Sequence, residues 1–147
     1  MRSLIAIAAL VASVSASAGE LDGKGVVCRD LSNLNFLYPH SVVVGFRFVS
    51  GVVEGDQVRM VDGSVAIDRF AYSDETPYRV APFKISWWNS YELNRKTLEL
   101  EFIVEGEVIF QKQCEVFQDM QSYTSRLEAD RDAIQSELNR AMKGNKI

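Results

Sequence analysis

The stretch LELEFIVEGEVIF, residues 98–110, decides the fold class. Apolar and acidic side chains alternate along its first half, which is typical of a strand with one face in the core and the other in water. The predicted core face carries Leu98, Leu100, Phe102 and Val104, and the predicted outer face carries Glu99, Glu101 and Glu105. Glu105-Gly106 then gives a turn signal, and apolar residues resume at Val108. The stretch therefore predicts two antiparallel strands joined by a tight turn.

The same period of two extends back toward the start of the chain. Alternating stretches cover residues 25–28, 42–49, 52–61, 65–72 and 78–88, and Ser50-Gly51 and Asp62-Gly63 are turn signals between them. Pro82 interrupts the 78–88 stretch and favours an edge or a bulge there. We predict a mainly β domain over residues 19–116. We expect about seven or eight strands, which form an antiparallel meander that closes into a small barrel or a curled sheet.

From residue 117 the period changes to alternating steps of three and four, which predicts a helix and short tail over 117–147. The candidate helix seam consists of Phe117, Met120, Leu127, Ile134 and Leu138. The seam is close to a heptad, so a coiled coil is one interpretation. A helix of about 25 residues is about 38 Å long and would overhang a domain about 30 Å across. Either its first turns pack on the β domain and the rest is solvated, or the overhang binds a protein partner or a second copy as a weak homo-oligomer.

Residues 1–18 have the three-part pattern of a secretory signal peptide. A short basic start precedes an apolar run, residues 4–14, and Ala16-Ser17-Ala18 supplies small residues for cleavage. The pattern looks bacterial and predicts a periplasmic or secreted product with no membrane span after cleavage. In an exported protein, Cys28 and Cys114 predict one disulfide. We expect it to join the first and last strands and so to close the two edges of the sheet on each other.

Composition argues against several function classes. The chain has 147 residues, a net charge of −4 and one histidine, His40. A nucleic-acid binder needs clustered basic residues, and metal or histidine chemistry needs more ligands, so we predict no nucleic-acid partner, no metal or other cofactor and no enzymatic activity. A hydrolase using Glu99 and Glu101 is the remaining catalytic hypothesis, although a solvated strand face explains the same residues.

Aromatic side chains are the best candidates for ligand or partner contact. Trp87 and Trp88 are adjacent on a predicted strand, so they should point to opposite faces, and Tyr78 and Tyr91 lie nearby in sequence. In a small barrel such residues either fill the core or line a ligand site. The sequence leaves both readings open.

In architecture, an exported β-meander with a terminal disulfide resembles lipocalin-like barrels and the small periplasmic barrels that inhibit lysozyme. The chain lacks the glycine-tryptophan start motif of true lipocalins and the Ser-Gly-x-Arg-Tyr loop of the membrane-bound type of lysozyme inhibitor. No functional residue is therefore transferred from either family. The leading hypothesis is a non-catalytic binding or interaction protein whose helix docks or self-associates. The alternative is a small lipocalin-like barrel that binds an apolar ligand.

Overall fold

The computed structural model describes residues 19–30, 43–70 and 77–144. The predicted signal peptide and His40 lie outside these residues. The elements are β1 (Gly25–Arg29), β2 (Val43–Val49), β3 (Val52–Val61), β4 (Ser64–Phe70), β5 (Arg79–Val80), β6 (Lys84–Trp87), β7 (Tyr91–Asn94), β8 (Glu99–Val104), β9 (Glu107–Phe117) and α1 (Met120–Lys143).

The strands form one antiparallel sheet in the order β4-β3-β2-β1-β9-β8-β7-β6-β5, curled into a half-barrel. The predicted fold class, a mainly β curled sheet with one C-terminal helix, is confirmed. The described residues contain nine strands, slightly more than predicted, because the 78–88 stretch forms two strands. Pro82 lies between them, and it has no backbone N–H to donate to a ladder.

The predicted disulfide is confirmed, but its expected role at the sheet edges is wrong. Cys28 of β1 lies directly opposite Cys114 of β9, and their sulfurs are bonded. β1 pairs with β2 on its other side, so the two ends of the β domain meet in the middle of the sheet. The edges are β4 and β5 instead. The disulfide therefore fixes the central pairing of the two strands most distant in sequence.

Three tight turns lie at the positions that the sequence predicts. Ser50-Gly51, Asp62-Gly63 and Glu105-Gly106 each have two successive residues with positive φ, from 49° to 82°. Such turns match the right-handed twist of the strands they join. The expected inward position of Val104 is wrong, because the pairing register shifts between Phe102 and Ile103 and leaves Val104 41% exposed.

The sheet buries apolar side chains on both faces. The inside of the curl holds a large aromatic cluster together with Val26 and Cys28. Val27 lies between them in sequence and belongs to a second cluster, which α1 covers from the outside of the curl. The second cluster also contains Val43, Val58 and Val65, so α1 packs on the β1–β4 half of the sheet.

Helix α1 begins later than the seam predicts. Phe117 is the last residue of β9, and Asp119 caps the helix by accepting a hydrogen bond from the Ser122 backbone N–H at 2.8 Å. That bond and a second one from the Ser122 hydroxyl lower the pKa of Asp119. In the described part of the chain, we find no helical segment with the length and apolarity needed to cross a membrane.

Candidate functional site

The four aromatic residues proposed as ligand or partner contacts lie inside the half-barrel. Tyr78, Trp87, Trp88 and Tyr91 are between 1% and 8% exposed. Phe46 is at their centre, with ring centroids 4.9 Å from Trp87, 5.9 Å from Trp88 and 5.0 Å from Tyr91. Trp87 also stacks on Tyr91 at 5.7 Å. The structure brings all four together, and here they fill the core.

Trp87 and Trp88 point into the same cluster rather than to opposite faces, so that expectation is wrong. β6 ends at Trp87, and Trp88 and Asn89 form a turn with φ of 51° and 53°. Alternation of side chains holds only for extended backbone, and the left-handed turn rotates Trp88 back into the curl. There it meets Phe70 of the edge strand β4 at 5.8 Å. A bulky residue at positive φ is strained, so the burial of this ring must offset about 1–2 kcal/mol.

Polar groups at the inner cluster have different environments. The Tyr78 hydroxyl accepts hydrogen bonds from the backbone N–H groups of Gly19 and Leu21 and donates to Asp22, and burial raises the pKa of this phenol. It thereby fixes the segment that precedes β1. The indole nitrogen of Trp87 is buried without a hydrogen-bond partner.

The inward-facing lysine of β9 is the one cation inside the curl among the core residues that the structure describes. Lys112 is 8% exposed, and its ammonium lies 5.0 Å from the centre of the Phe110 ring. Burial lowers the pKa of Lys112, and the charge of Asp30 opposes that shift. This position explains why a lysine interrupts the apolar pattern of β9. The Lys112 ammonium interacts with the negative charge of Asp30 instead of facing bulk water.

The seam of α1 packs on the sheet of its own chain. Leu127 is 2% exposed, and Phe117, Met120, Ile134 and Leu138 are partly buried against the same cluster. Farther along the helix, Gln135 accepts a hydrogen bond from the backbone N–H of Val65 at 2.8 Å, which satisfies a donor of the edge strand β4. The helix thus contacts the sheet over most of its length, and Met142 near its end is an exposed apolar side chain.

The most buried helix residue, Tyr123, was not part of the predicted seam. Its ring lies directly over Gly25 and Gly45: a Cβ on these glycines would come within 2.4 Å and 2.3 Å of Tyr123 atoms. Its hydroxyl donates to Asp56 at 2.8 Å, and the Arg47 guanidinium donates to the same carboxylate oxygen at 2.9 Å. The signal was available, since Tyr123 lies three residues after Met120 and four before Leu127, the spacing of one helix face.

A second ion pair lies between helix and sheet. Arg29 donates from Nε and Nη2 to one Asp130 oxygen, at 3.0 Å and 2.8 Å. Burial raises the pKa of Asp130, and Arg29 opposes that shift. Together with the Tyr123–Asp56–Arg47 contacts, this pair fixes where the helix sits on the sheet.

A cavity of about 160 Å³ lies at the end of the half-barrel where β1 begins and β9 ends. Its lining is mainly apolar and includes Leu21, Phe48 and Leu98, with Lys24 and Arg95 among its polar members. The sequence pattern did not single out this site, because its residues come from five separate segments of the chain.

The β8–β9 hairpin exposes apolar side chains at its opposite end. Val104, Val108 and Ile109 are 41%, 48% and 56% exposed, and the exposed Glu105 and Glu107 flank them. Residues 99–117 carry five glutamates and one lysine, a net charge of −4, which equals that of the whole chain. The hairpin tip is therefore both apolar and acidic.

The carboxylates weighed for hydrolysis lie on the solvated outer face of β8. Glu101 accepts a hydrogen bond from the Gln111 side chain at 2.8 Å, and Glu99 is exposed. In residues 19–30, 43–70 and 77–144, no three His, Cys, Asp or Glu side chains are grouped so that they could hold a metal ion. Comparison with known proteins finds no matching family model, no similar curated protein and no similar solved structure.

Proposed function

We propose that the chain is an exported, non-catalytic binding protein that acts in the periplasm or outside the cell. The Cys28–Cys114 disulfide supports export, since such bonds persist in oxidising compartments. The leader pattern of residues 1–18 supports it independently. Removing that leader takes away Arg2 and leaves an exported chain that is more acidic still.

The observation that carries the binding proposal is the exposed apolar tip of the β8–β9 hairpin. Val104, Val108 and Ile109 all lie near the turn of the β8–β9 hairpin and are exposed, and we infer that a partner covers them. Glu105 and Glu107 at the same tip favour a partner with basic side chains. The partner is therefore a protein that presents an apolar pocket with a basic rim.

A second copy of this chain fits the tip poorly. Pairing two hairpins would bring two segments of net charge −4 together, which like-charge repulsion opposes. The proposal also assigns no self-association to α1, because the apolar seam packs on the sheet of the same chain.

The alternative function, a barrel that carries an apolar ligand, is restricted by the packing of the interior. Ring-to-ring contacts around Phe46 occupy the middle of the curl. A ligand would therefore be confined to the cavity at the end of the half-barrel.

Site-specific photo-crosslinking in the exporting cell tests the hairpin. A benzophenone amino acid replaces Ile109 in one variant and Phe83 in a matched control; Phe83 is also apolar and is 82% exposed, but lies in the β5–β6 connection. We expect an adduct with one basic protein from position 109 and none from position 83. Glu105→Lys with Glu107→Lys should abolish the adduct, since charge reversal repels a basic rim. Equal labelling at positions 109 and 83, or an adduct that survives the charge reversal, contradicts the proposal.

A further inference from the structure

The cavity at the end of the half-barrel has a mainly apolar lining that also includes two cationic residues. Its lining residues include Val26, Phe48 and Leu93 from three strands and the cations Lys24 and Arg95, and no acidic side chain lines it. The chain as a whole has a net charge of −4, so a cavity lined by two cations and no acidic side chain differs from the chain's overall acidic charge.

The two cations differ in how they are held. Arg95 is positioned by donating to the backbone carbonyl of Ala81 at 3.0 Å, and it makes an exposed ion pair with Glu20 at 3.4 Å. Exposed pairs of this kind contribute little, so an incoming anion can compete for the guanidinium. None of the salt bridges among the described residues involves Lys24.

The loop that carries Arg95 contains side-chain hydrogen bonds and a strained residue at the cavity wall. The Asn94 side chain accepts hydrogen bonds from the backbone N–H groups of Lys96 and Thr97, at 2.9 Å and 3.0 Å. This conformation forces Leu98 to a φ of 57° and places its side chain in the wall. A leucine is disfavoured at positive φ, and such strain is retained where the surrounding structure requires the side chain at that place.

The size of the cavity sets the size of an occupant. The cavity is about half open to solvent, and its volume of about 160 Å³ is close to that of an enclosed apolar cavity that holds benzene, about 150 Å³. We propose that this cavity binds a small hydrophobic carboxylic acid, with an apolar body of about one benzene ring between Phe48 and Leu98 and its carboxylate on Lys24 and Arg95. The site is independent of the hairpin: Val116 in its lining and Glu107 at the hairpin are nine residues apart on β9, about 30 Å along the strand.

The test uses the complete exported chain and sodium benzoate as the probe. Titration followed by backbone amide chemical shifts should give a dissociation constant of about 1 mM, the range for a ligand with so few atoms. The shifts should map to residues 21–26, 93–98 and 116–118. Benzyl alcohol, a neutral molecule of the same size, should bind at least about tenfold more weakly, because it cannot pair with the two cations.

Three variants extend the test. Lys24→Met should weaken benzoate binding about tenfold. Lys96→Met should leave it unchanged, because Lys96 lies beside Arg95 in sequence but does not line the cavity. Val116→Phe, which fills the cavity, should abolish binding. Equal affinity for benzoate and benzyl alcohol in the unmodified protein, shifts spread over the surface, or undiminished binding by the Val116→Phe variant would each overturn the proposal. The crosslinking result at position 109 does not depend on any of these outcomes.

Discussion

Replacing Tyr123 with phenylalanine removes one oxygen atom from the interface between α1 and the sheet. Tyr123 is 1% exposed, and its hydroxyl donates to Asp56 at 2.8 Å. A buried hydrogen bond to a charged acceptor contributes about 2 kcal/mol. We therefore expect the free energy of unfolding at pH 7 to fall by about 2 kcal/mol in Tyr123→Phe, while Arg47 keeps its contact with Asp56.

The same phenol makes the effect depend on pH. Burial, followed by the negative charge of Asp56, raises the pKa of Tyr123 far above its usual 10.0. A group with a raised folded-state pKa stabilises the fold below its unfolded-state pKa and loses that contribution as the pH rises. Above about pH 10 the unfolded chain ionises this phenol and the folded chain does not, so stability falls by up to about 1.4 kcal/mol per pH unit. The unfolding free energies of the unmodified protein and Tyr123→Phe should therefore meet between about pH 11 and pH 12.

Urea unfolding from pH 7 to pH 11.5, followed by tryptophan fluorescence, measures both effects. Trp87 and Trp88 lie in the inner cluster and report on its packing. If the two proteins keep a constant difference in unfolding free energy across this range, the Tyr123 phenol is not buried against Asp56, and the assigned helix position is wrong.

A second substitution tests the packing of the ring. A Cβ on Gly45 would lie 2.3 Å from the Tyr123 hydroxyl oxygen, so Gly45→Ala should cost about 1–3 kcal/mol. The cost should be smaller by at least about 0.5 kcal/mol in the Tyr123→Phe background, because the closest atom is then absent. Gly144→Ala is the matched control, since the nearest atom to its Cβ is 3.5 Å away. Strictly additive effects of Gly45→Ala and Tyr123→Phe would contradict the contact.

Three further variants probe other parts of the fold. Replacing Cys28 and Cys114 with alanine opens a loop of 86 residues and should lower the free energy of unfolding in urea by about 4.5 kcal/mol. A loss below about 1 kcal/mol would contradict the stabilising role of the disulfide. Asp130→Asn should flatten the pH dependence of the unfolding free energy above pH 4. Burial raises the folded-state pKa of Asp130, so this carboxyl stabilises the fold most when protonated and less as the pH rises through that pKa. An unchanged slope of unfolding free energy against pH would refute this. Trp88→Gly relieves the positive φ but loses the ring, and calorimetry should show a net loss of about 2 kcal/mol; a more stable variant would show that strain outweighs packing.

Local sequence signals predicted the turns because the chemistry that makes them is local. Asp62-Gly63 and Glu105-Gly106 each place a glycine, which adopts positive φ freely, between alternating strands, and Asp62 also tolerates positive φ. The turn at Trp88-Asn89 could not be found in this way, since a tryptophan at positive φ is held by its ring contacts with Phe46 and Phe70. Those partners come from distant strands.

The order of the strands was also beyond local pattern. The two cysteines predicted that the first and last strands are joined, but not that β1 inserts between β2 and β9 in the middle of the sheet. For the helix, the steps of three and four identified Leu127 and Ile134, but they predicted packing on the β domain only for the first turns and left the later turns to solvent or a partner. Gly25 and Gly45 leave the sheet surface open for Tyr123, and this complementarity becomes visible only when three separate segments meet.

The main proposal is that the chain is exported to an oxidising compartment and folds there as one domain closed by the Cys28–Cys114 disulfide. Intact-mass analysis and non-reducing peptide mapping of the protein recovered from the periplasm or medium measure this in one experiment. We predict a chain that begins at Gly19 and yields one cross-linked peptide pair containing Cys28 and Cys114. A product that still begins at Met1 and carries two alkylatable thiols would contradict it.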